Sequence, residues 1–227
     1  MSAGLTTPRL VLLTMTLTVH LLPPSPNNTK VLIALAYKEI DFVPKLIDPF
    51  DRSELVNSTG QCLTPAMEQD GIKLFDSMAM LRFLDANYPG PRLYASDRES
   101  HKEIEKWESF HKFAIGPWLG KAFGMFFKKQ DDPEVIAEIN QGIHEATEKL
   151  ESALEGRDWL VGDSMTTADI SVACFLSFAC YNDEEAEQSP VWMWMQKRFD
   201  LGDGREQCRA LVHRVLAYLP QFAALTG

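Results

Sequence analysis

Between Leu63 and Asp85 the chain reads LTPAMEQDGIKLFDSMAMLRFLD, an order that leaves few folds open. Asp70-Gly71 accepts the positive φ angles of a tight turn. The runs on either side, Thr64-Pro65-Ala66-Met67 and Ile72-Lys73-Leu74-Phe75, are therefore expected to pair as antiparallel strands. Asp76-Ser77 then offers side-chain oxygens to the unpaired N–H groups of a helix start. Met78, Met80, Leu81, Phe83 and Leu84 follow at helical spacing. Strand, turn, strand and capped helix make a compact ββα unit. A helix N-terminus carries free N–H groups and the positive end of the dipole, which suits a carboxylate ligand. The same cap also serves a helix that binds nothing.

Upstream, residues 1–14 read as an irregular N-terminal extension, and Met15–Leu22 as a strand. Thr6, Thr7, Thr14, Thr16 and His20 interrupt the apolar character of this region, and Pro23-Pro24 stands where a secretory cleavage site would need small residues. Thr and Val favour strands. Pro23–Asn28 reads as a loop, Thr29–Tyr37 as a helix and Asp41–Leu46 as a second strand. The first part is thus β-α-β, a link, then β-β-α, a pattern that places ligands at the carboxyl ends of strands.

After Asn87-Tyr88-Pro89-Gly90-Pro91 the signal is helical only, so a domain boundary is expected near residues 90–96. A long aromatic helix over Glu103–Lys129 should kink at Gly116-Pro117. Asp132-Pro133 opens another helix, Asp as cap and Pro at the first position. Thr166-Thr167-Ala168-Asp169 is a capping box in its Asp form, with Met165 and Ile170 as a hydrophobic staple. The ISVACFLSFACY run that follows is apolar nearly all round, as suits a helix at the centre of a domain. The acidic run Glu184–Glu187 reads as a solvated loop, followed by helices near Pro190–Arg198 and Gln207–Leu219.

Of 227 residues, 32 are acidic and 22 basic, for a net charge of −10. That balance argues against nucleic acid or an anionic membrane as partner. No run reaches the length of a membrane span. The four cysteines, Cys62, Cys174, Cys180 and Cys208, form no Cys-x-x-Cys pair and no zinc spacing, which points to free thiols in a reducing, cytoplasmic setting and to no metal.

Three signatures, in order and at the right separations, resemble the cytosolic glutathione transferases over roughly residues 15–222. Ser25-Pro26-Asn27-Asn28-Thr29-Lys30-Val31 has that family's spacing from a catalytic residue through Pro to a basic residue. Thr64-Pro65 followed by Asp76-Ser77 is similar to its cis-proline and acidic-Ser pair. Thr166–Asp169 is similar to its capping box. Ser-Pro looks like the tau class, and the Ser-Pro-Asn run is also similar to bacterial and fungal members; an omega-like member would carry Cys at position 25. The chain departs from the family in a lengthened Gly60–Pro65 loop.

The resemblance implies an α/β plus all-α protein: a thioredoxin-like domain at 15–90, then an all-helical domain at 97–227. It implies conjugation of glutathione, as co-substrate, to a small hydrophobic electrophile, and a homodimer. Ser25 and Asn27 would steer the thiol, and the N-terminus of the first helix would favour the thiolate. Thr64 and Pro65 would present backbone groups to the tripeptide. Asp76 would take its ammonium, Ser77 its γ-glutamyl carboxylate, and Lys45 its glycyl carboxylate. Trp107, Phe110, His111, Phe113 and Trp118 are candidate walls for the electrophile, although an aromatic stripe at helical spacing equally suits a core. Two alternatives stay open: a binding or regulatory protein that kept the fold, and a glutathione-dependent thiol reductase or isomerase.

Overall fold

The computed structural model describes residues 16–219, so the expected extension at 1–14 and the chain from 220 onward lie outside the described residues. Four short strands, β1 (Thr18–Leu21), β2 (Val43–Leu46), β3 (Ala66–Gln69) and β4 (Ile72–Phe75), form one sheet in the order β2-β1-β3-β4. β1 runs parallel to β2, and β3 is antiparallel to both β1 and β4. The β3–β4 turn is the one the sequence announces: Asp70 has φ 52° and Gly71 φ 81°, and two positive φ angles are what a tight hairpin of the observed hand needs.

Helix α1 (Pro26–Tyr37) packs against α3 (Ser77–Asn87). It begins at Pro26, earlier than the expected Thr29, because proline at the first helical position lacks only an N–H that would be unpaired anyway. Ser25 is its N-cap, in extended conformation, and the Ser25 carbonyl accepts from the Thr29 N–H at 3.0 Å. The link after β2 holds a short helix, α2 (Ser53–Thr59), whose single buried apolar side chain, Leu55, gives no readable period.

The second half is helical. The expected long aromatic helix is divided into α4 (Arg98–Phe110), a π-helical turn (His111–Ile115) and α5 (Gly116–Phe127). Gly116 N–H donates to the His111 carbonyl, five residues back. Pro117 has no N–H and its ring conflicts with the carbonyl one turn earlier, a conflict that the one inserted residue accommodates. Then come α6 (Pro133–Ala153), α7 (Thr167–Leu176), α8 (Asp183–Glu187), α9 (Pro190–Gln196) and α10 (Glu206–Leu216). The acidic run expected as a loop is thus the short helix α8, capped by Asn182 and Glu185.

α7 is the central helix, packed against α1, α4 and α10. Its start is closed by the expected box. Thr166 Oγ1 accepts from the Ala168 N–H at 3.3 Å, and Asp169 Oδ2 accepts from the Thr166 N–H at 2.8 Å. Asp169, at 0 % exposure, also accepts from the Leu160 N–H at 2.8 Å. Burial raises its carboxyl pKa to about 6. Among the described residues no helix is long and apolar enough to cross a membrane.

Candidate functional site

The N-termini of α1 and α3 meet. Ser77 Oγ, on the first residue of α3, donates to Asn27 Oδ1, in the first turn of α1, at 3.3 Å. Two helices thus aim their positive ends at one place, a standing preference for an anion. Asp76 adopts φ 89° and caps α3 through Oδ1, which accepts from Met78 N–H at 2.9 Å and Ala79 N–H at 3.0 Å. Beside them runs the Thr64–Pro65 peptide, cis as the family resemblance implied.

These residues line one wall of a cleft of about 750 Å³. Gln61 and Leu63 line it from the lengthened loop, and Glu108, His111 and Phe113 from the helical half. Lys30, from α1, lies beneath it at 1 % exposure. Its Nζ is 2.8 Å from His111 Nε2 and 4.4 Å from the centroid of the Phe175 ring. Burial lowers the Lys30 pKa to about 8. Burial, and next the charge of Lys30, lower His111 to about 3. His111 is therefore a neutral acceptor for the lysine ammonium near pH 7, not a proton acceptor for a substrate. Its other nitrogen, Nδ1, is buried without a hydrogen-bond partner.

That assignment sets a pH dependence. The folded pKa of His111, about 3, lies below the ordinary 6.5, so the unfolded chain binds the extra proton between those values and stability falls as pH drops through that window. From pH 6.5 to 5 the histidine should cost about 1–2 kcal/mol. Urea melts of wild type and His111→Gln across this range check it: the wild type should lose that much relative to the variant. Parallel profiles would show that the imidazole does not resist protonation.

Glu108 carries no signature along the chain. Its Oε1 accepts from Tyr94 Oη at 2.6 Å and Thr167 Oγ1 at 2.8 Å, and its Oε2 from Arg82 at 2.6 Å. It ties α3, α4 and the start of α7 together at the edge of the cleft. Burial, then the neighbouring Glu108 charge, hold the Tyr94 phenol protonated.

On the other side of the α1 N-terminus is a second cavity, of about 360 Å³. Ser25, Asn28 and Thr29 line it from the start of α1, and Tyr181, Trp192 and Leu216 from the helical half. Ser25 therefore belongs to this cavity and Asn27 to the cleft; the first turn of α1 is the partition between them.

The other sequence candidates fall elsewhere. Lys45 pairs with Glu54 at 2.6 Å and does not line the cleft. Of the proposed aromatic walls, His111 and Phe113 line the cleft, whereas Trp107, Phe110 and Trp118 line neither cavity. Trp107 and Phe110 pack edge to face, ring centroids 5.1 Å apart. Trp118 lies across α6 at Gly142, where a Cβ would come within 2.0 Å of its ring. The π-helical turn changes the face presented after Phe110, so a single helical period carried through Pro117 misassigns Trp118; Trp107 and Phe110 precede the turn and pack against each other. Tyr181 sits in the link before α8 and Trp192 in the seven-residue α9, with no period to reveal either.

Two family comparisons match the chain. The glutathione S-transferase N-terminal domain matches residues 20–92, and the glutathione S-transferase C-terminal domain residues 117–189. A glutathione S-transferase from Hyoscyamus muticus is 27% identical over 167 residues, covering 68% of this chain and 78% of the relative. Elongation factor 1-gamma-A from Xenopus laevis is 28% identical over 172 residues, which are 70% of this chain but only 38% of that protein. Among solved structures, a glutathione S-transferase from Methylobacillus flagellatus with glutathione bound superposes with a TM-score of 0.67 at 21% identity, over 91% of this chain and 100% of that one.

Proposed function

The chain belongs to the glutathione S-transferase family, with its thioredoxin-like first domain and helical second domain, and from that premise we propose that it joins the thiol of glutathione to small electrophiles. The observation that carries this reading is the pair of cavities on the two sides of one helix start, with Asn27 lining the cleft and Ser25 lining the second cavity. The cleft holds charges of both signs, as a zwitterionic peptide requires. The γ-glutamyl carboxylate sits at the first N–H groups of α3 with Ser77, and its ammonium at Asp76. The backbone of Thr64 pairs with the cysteinyl amide in a short β-like contact.

The thiol then lies at the α1 N-terminus. A free thiol, with a pKa of about 8.5, is mostly protonated at neutral pH. The Ser25 hydroxyl, which makes no capping bond of its own, donates to the thiolate, and the helix dipole favours the same form. With 1-chloro-2,4-dinitrobenzene in the second cavity, sulfur bonds to the ring carbon that carries chlorine. The C–Cl bond breaks, chloride leaves with the bonding pair, and the thiol proton goes to solvent.

Ser25→Ala should lower the conjugation rate about 100-fold, the usual worth of one donor to a developing anion, while glutathione affinity changes less than twofold. Initial rates and a titration of glutathione read both, and equal rates in the two proteins would remove Ser25 from the chemistry. A second reading, a glutathione-binding module without turnover, is favoured by the similarity to a protein named as an elongation factor. Glutathione at 100 times its Kd should stabilise the fold by about 2.7 kcal/mol under either reading. A thermal shift with no turnover of any electrophile would select the second.

A further inference from the structure

We propose that the cavity beside Ser25 selects organic cations: small amines or ammonium compounds with an aromatic or branched apolar body. The inference rests on the reading of that cavity as the second-substrate site. Three observations carry it, and they agree on one kind of head group only when taken together.

First, every charge on the wall is negative. Glu184 and Glu185 line the cavity, and no Lys or Arg does so among the described residues. The cleft across the helix start is different, with Lys30, Arg82 and Lys112 facing Asp76 and Glu108. Glu185 Oε2 accepts from the Asn182 N–H at 2.9 Å, so its charge is held in place by the cap of α8. A chain of net charge −10 adds a field that draws cations in and turns anions away.

Second, the cavity has a buried acceptor with nothing to accept from. Asn28 is 2 % exposed and lines it. Its Nδ2 donates to the Leu22 carbonyl at 2.7 Å and to Thr64 Oγ1 at 3.3 Å, while Oδ1 has no hydrogen-bond partner. An unpaired buried acceptor is costly and is relieved by a donor brought in by a ligand. An ammonium, amine or hydroxyl hydrogen supplies that donor, whereas a carboxylate or an ether does not; the two glutamates then favour the ammonium over the hydroxyl.

Third, the wall offers an aromatic surface. The Tyr181 and Trp192 rings lie with centroids 4.8 Å apart at 34° to each other, and Leu32 and Leu216 close the apolar part. Cations bind over such faces, tryptophan best. A volume of about 360 Å³ suits a ring with a short side chain.

The test uses three probes with one body and three heads, titrated into the intact protein by calorimetry at low salt: 4-phenylbutylammonium, 4-phenylbutanol and 4-phenylbutyrate. The ammonium should bind about tenfold tighter than the alcohol, the worth of two half-exposed ion pairs, and the carboxylate weakest. The double variant Glu184→Gln/Glu185→Gln should erase that tenfold margin. It keeps the cap, because glutamine also accepts from the Asn182 N–H. Glu187→Gln, exposed and outside the cavity, should leave the margin intact. Raising salt should shrink it. Equal affinities for the three heads, tighter binding of the alcohol or carboxylate, no binding at all, or a margin untouched in the double variant would each overturn the proposal. Conjugation of the chloronitrobenzene reports separately on the transferase reading. Normal conjugation with equal probe affinities sinks only the cation selectivity. Ordered probe binding with no conjugation upholds that selectivity and removes the transferase.

Discussion

Asp169→Ala should cost about 4 kcal/mol of folding stability, with glutathione affinity unchanged in the molecules that fold. Both oxygens of Asp169 are committed. Oδ1 accepts from Leu160 N–H, and Oδ2 from Thr166 N–H and, at 2.9 Å, from Thr166 Oγ1. The residue is at 0 % exposure, so water cannot take over these bonds. Two backbone donors left unpaired cost about 1–3 kcal/mol each, and the lost cap adds to that. Alanine also removes a buried charge, which offsets part of the loss.

The offset has a sign that can be measured. The folded pKa of Asp169, about 6, lies above the ordinary 3.8, so the stability it contributes is fully present below pH 3.8 and is reduced as pH rises through 6. The deficit of the alanine variant should therefore widen between pH 7 and pH 4. Urea melts at the two pH values decide this, with the exposed Ser152→Ala as a near-silent control. Superimposed wild-type and Asp169→Ala curves would mean that the box does not close the helix.

Glu108→Ala should be nearly as damaging, about 3–4 kcal/mol, for a different reason. Removing the carboxylate leaves Arg82, Tyr94 and Thr167 without the acceptor that all three share. Breaking one side of a buried charge pair costs about 3–5 kcal/mol, chiefly because the partners stay buried and unsatisfied. Arg82 is only partly covered, which limits its share. Removing both charges tests that logic. The double variant Arg82→Met/Glu108→Leu should be more stable than Glu108→Ala alone, since no orphaned cation remains. If Glu108→Ala melts with the wild type, the three-way junction does not hold the two halves together.

The parts of this fold that were legible share one trait: each was decided by neighbours in the chain. The Asp70-Gly71 hairpin, the Asp76 cap, the Asp132-Pro133 start and the Thr166–Asp169 box are local backbone problems with local side-chain answers. Ser25-Pro26 misled in one respect. The proline reads as a loop residue, yet it opens α1 and so puts Ser25 and Asn27 on opposite sides of a partition. The aromatic run was legible only in part: His111 and Phe113 line the cleft, but a π-helical turn changes the face presented beyond Phe110, and no period along the chain anticipates one inserted residue. Lys30 stands in a recognisable motif, but its burial against His111 and Phe175 depends on residues far along the chain. Glu108 gave no signal because its partners lie on three other segments.

Those partners bear on modularity. The Leu93 carbonyl accepts from the Thr167 N–H at 3.0 Å, and the Leu93 N–H donates to Asp85 at 2.7 Å. Tyr94, Glu108 and His111 then reach Arg82, Thr167 and Lys30. The stretch from Leu93 to His111 therefore belongs to neither half. It is a mortise cut to fit both, and its two faces are specified by residues on opposite sides of the boundary. A recombinant that exchanged one half at the Pro89-Gly90-Pro91 break would inherit a joint shaped for the lost partner, with Arg82 and Lys30 facing strangers. Shuffling in such a chain is constrained by the apolar core that α1 and α7 share across the boundary, and by this short seam, which has to travel with α3 and α7 together.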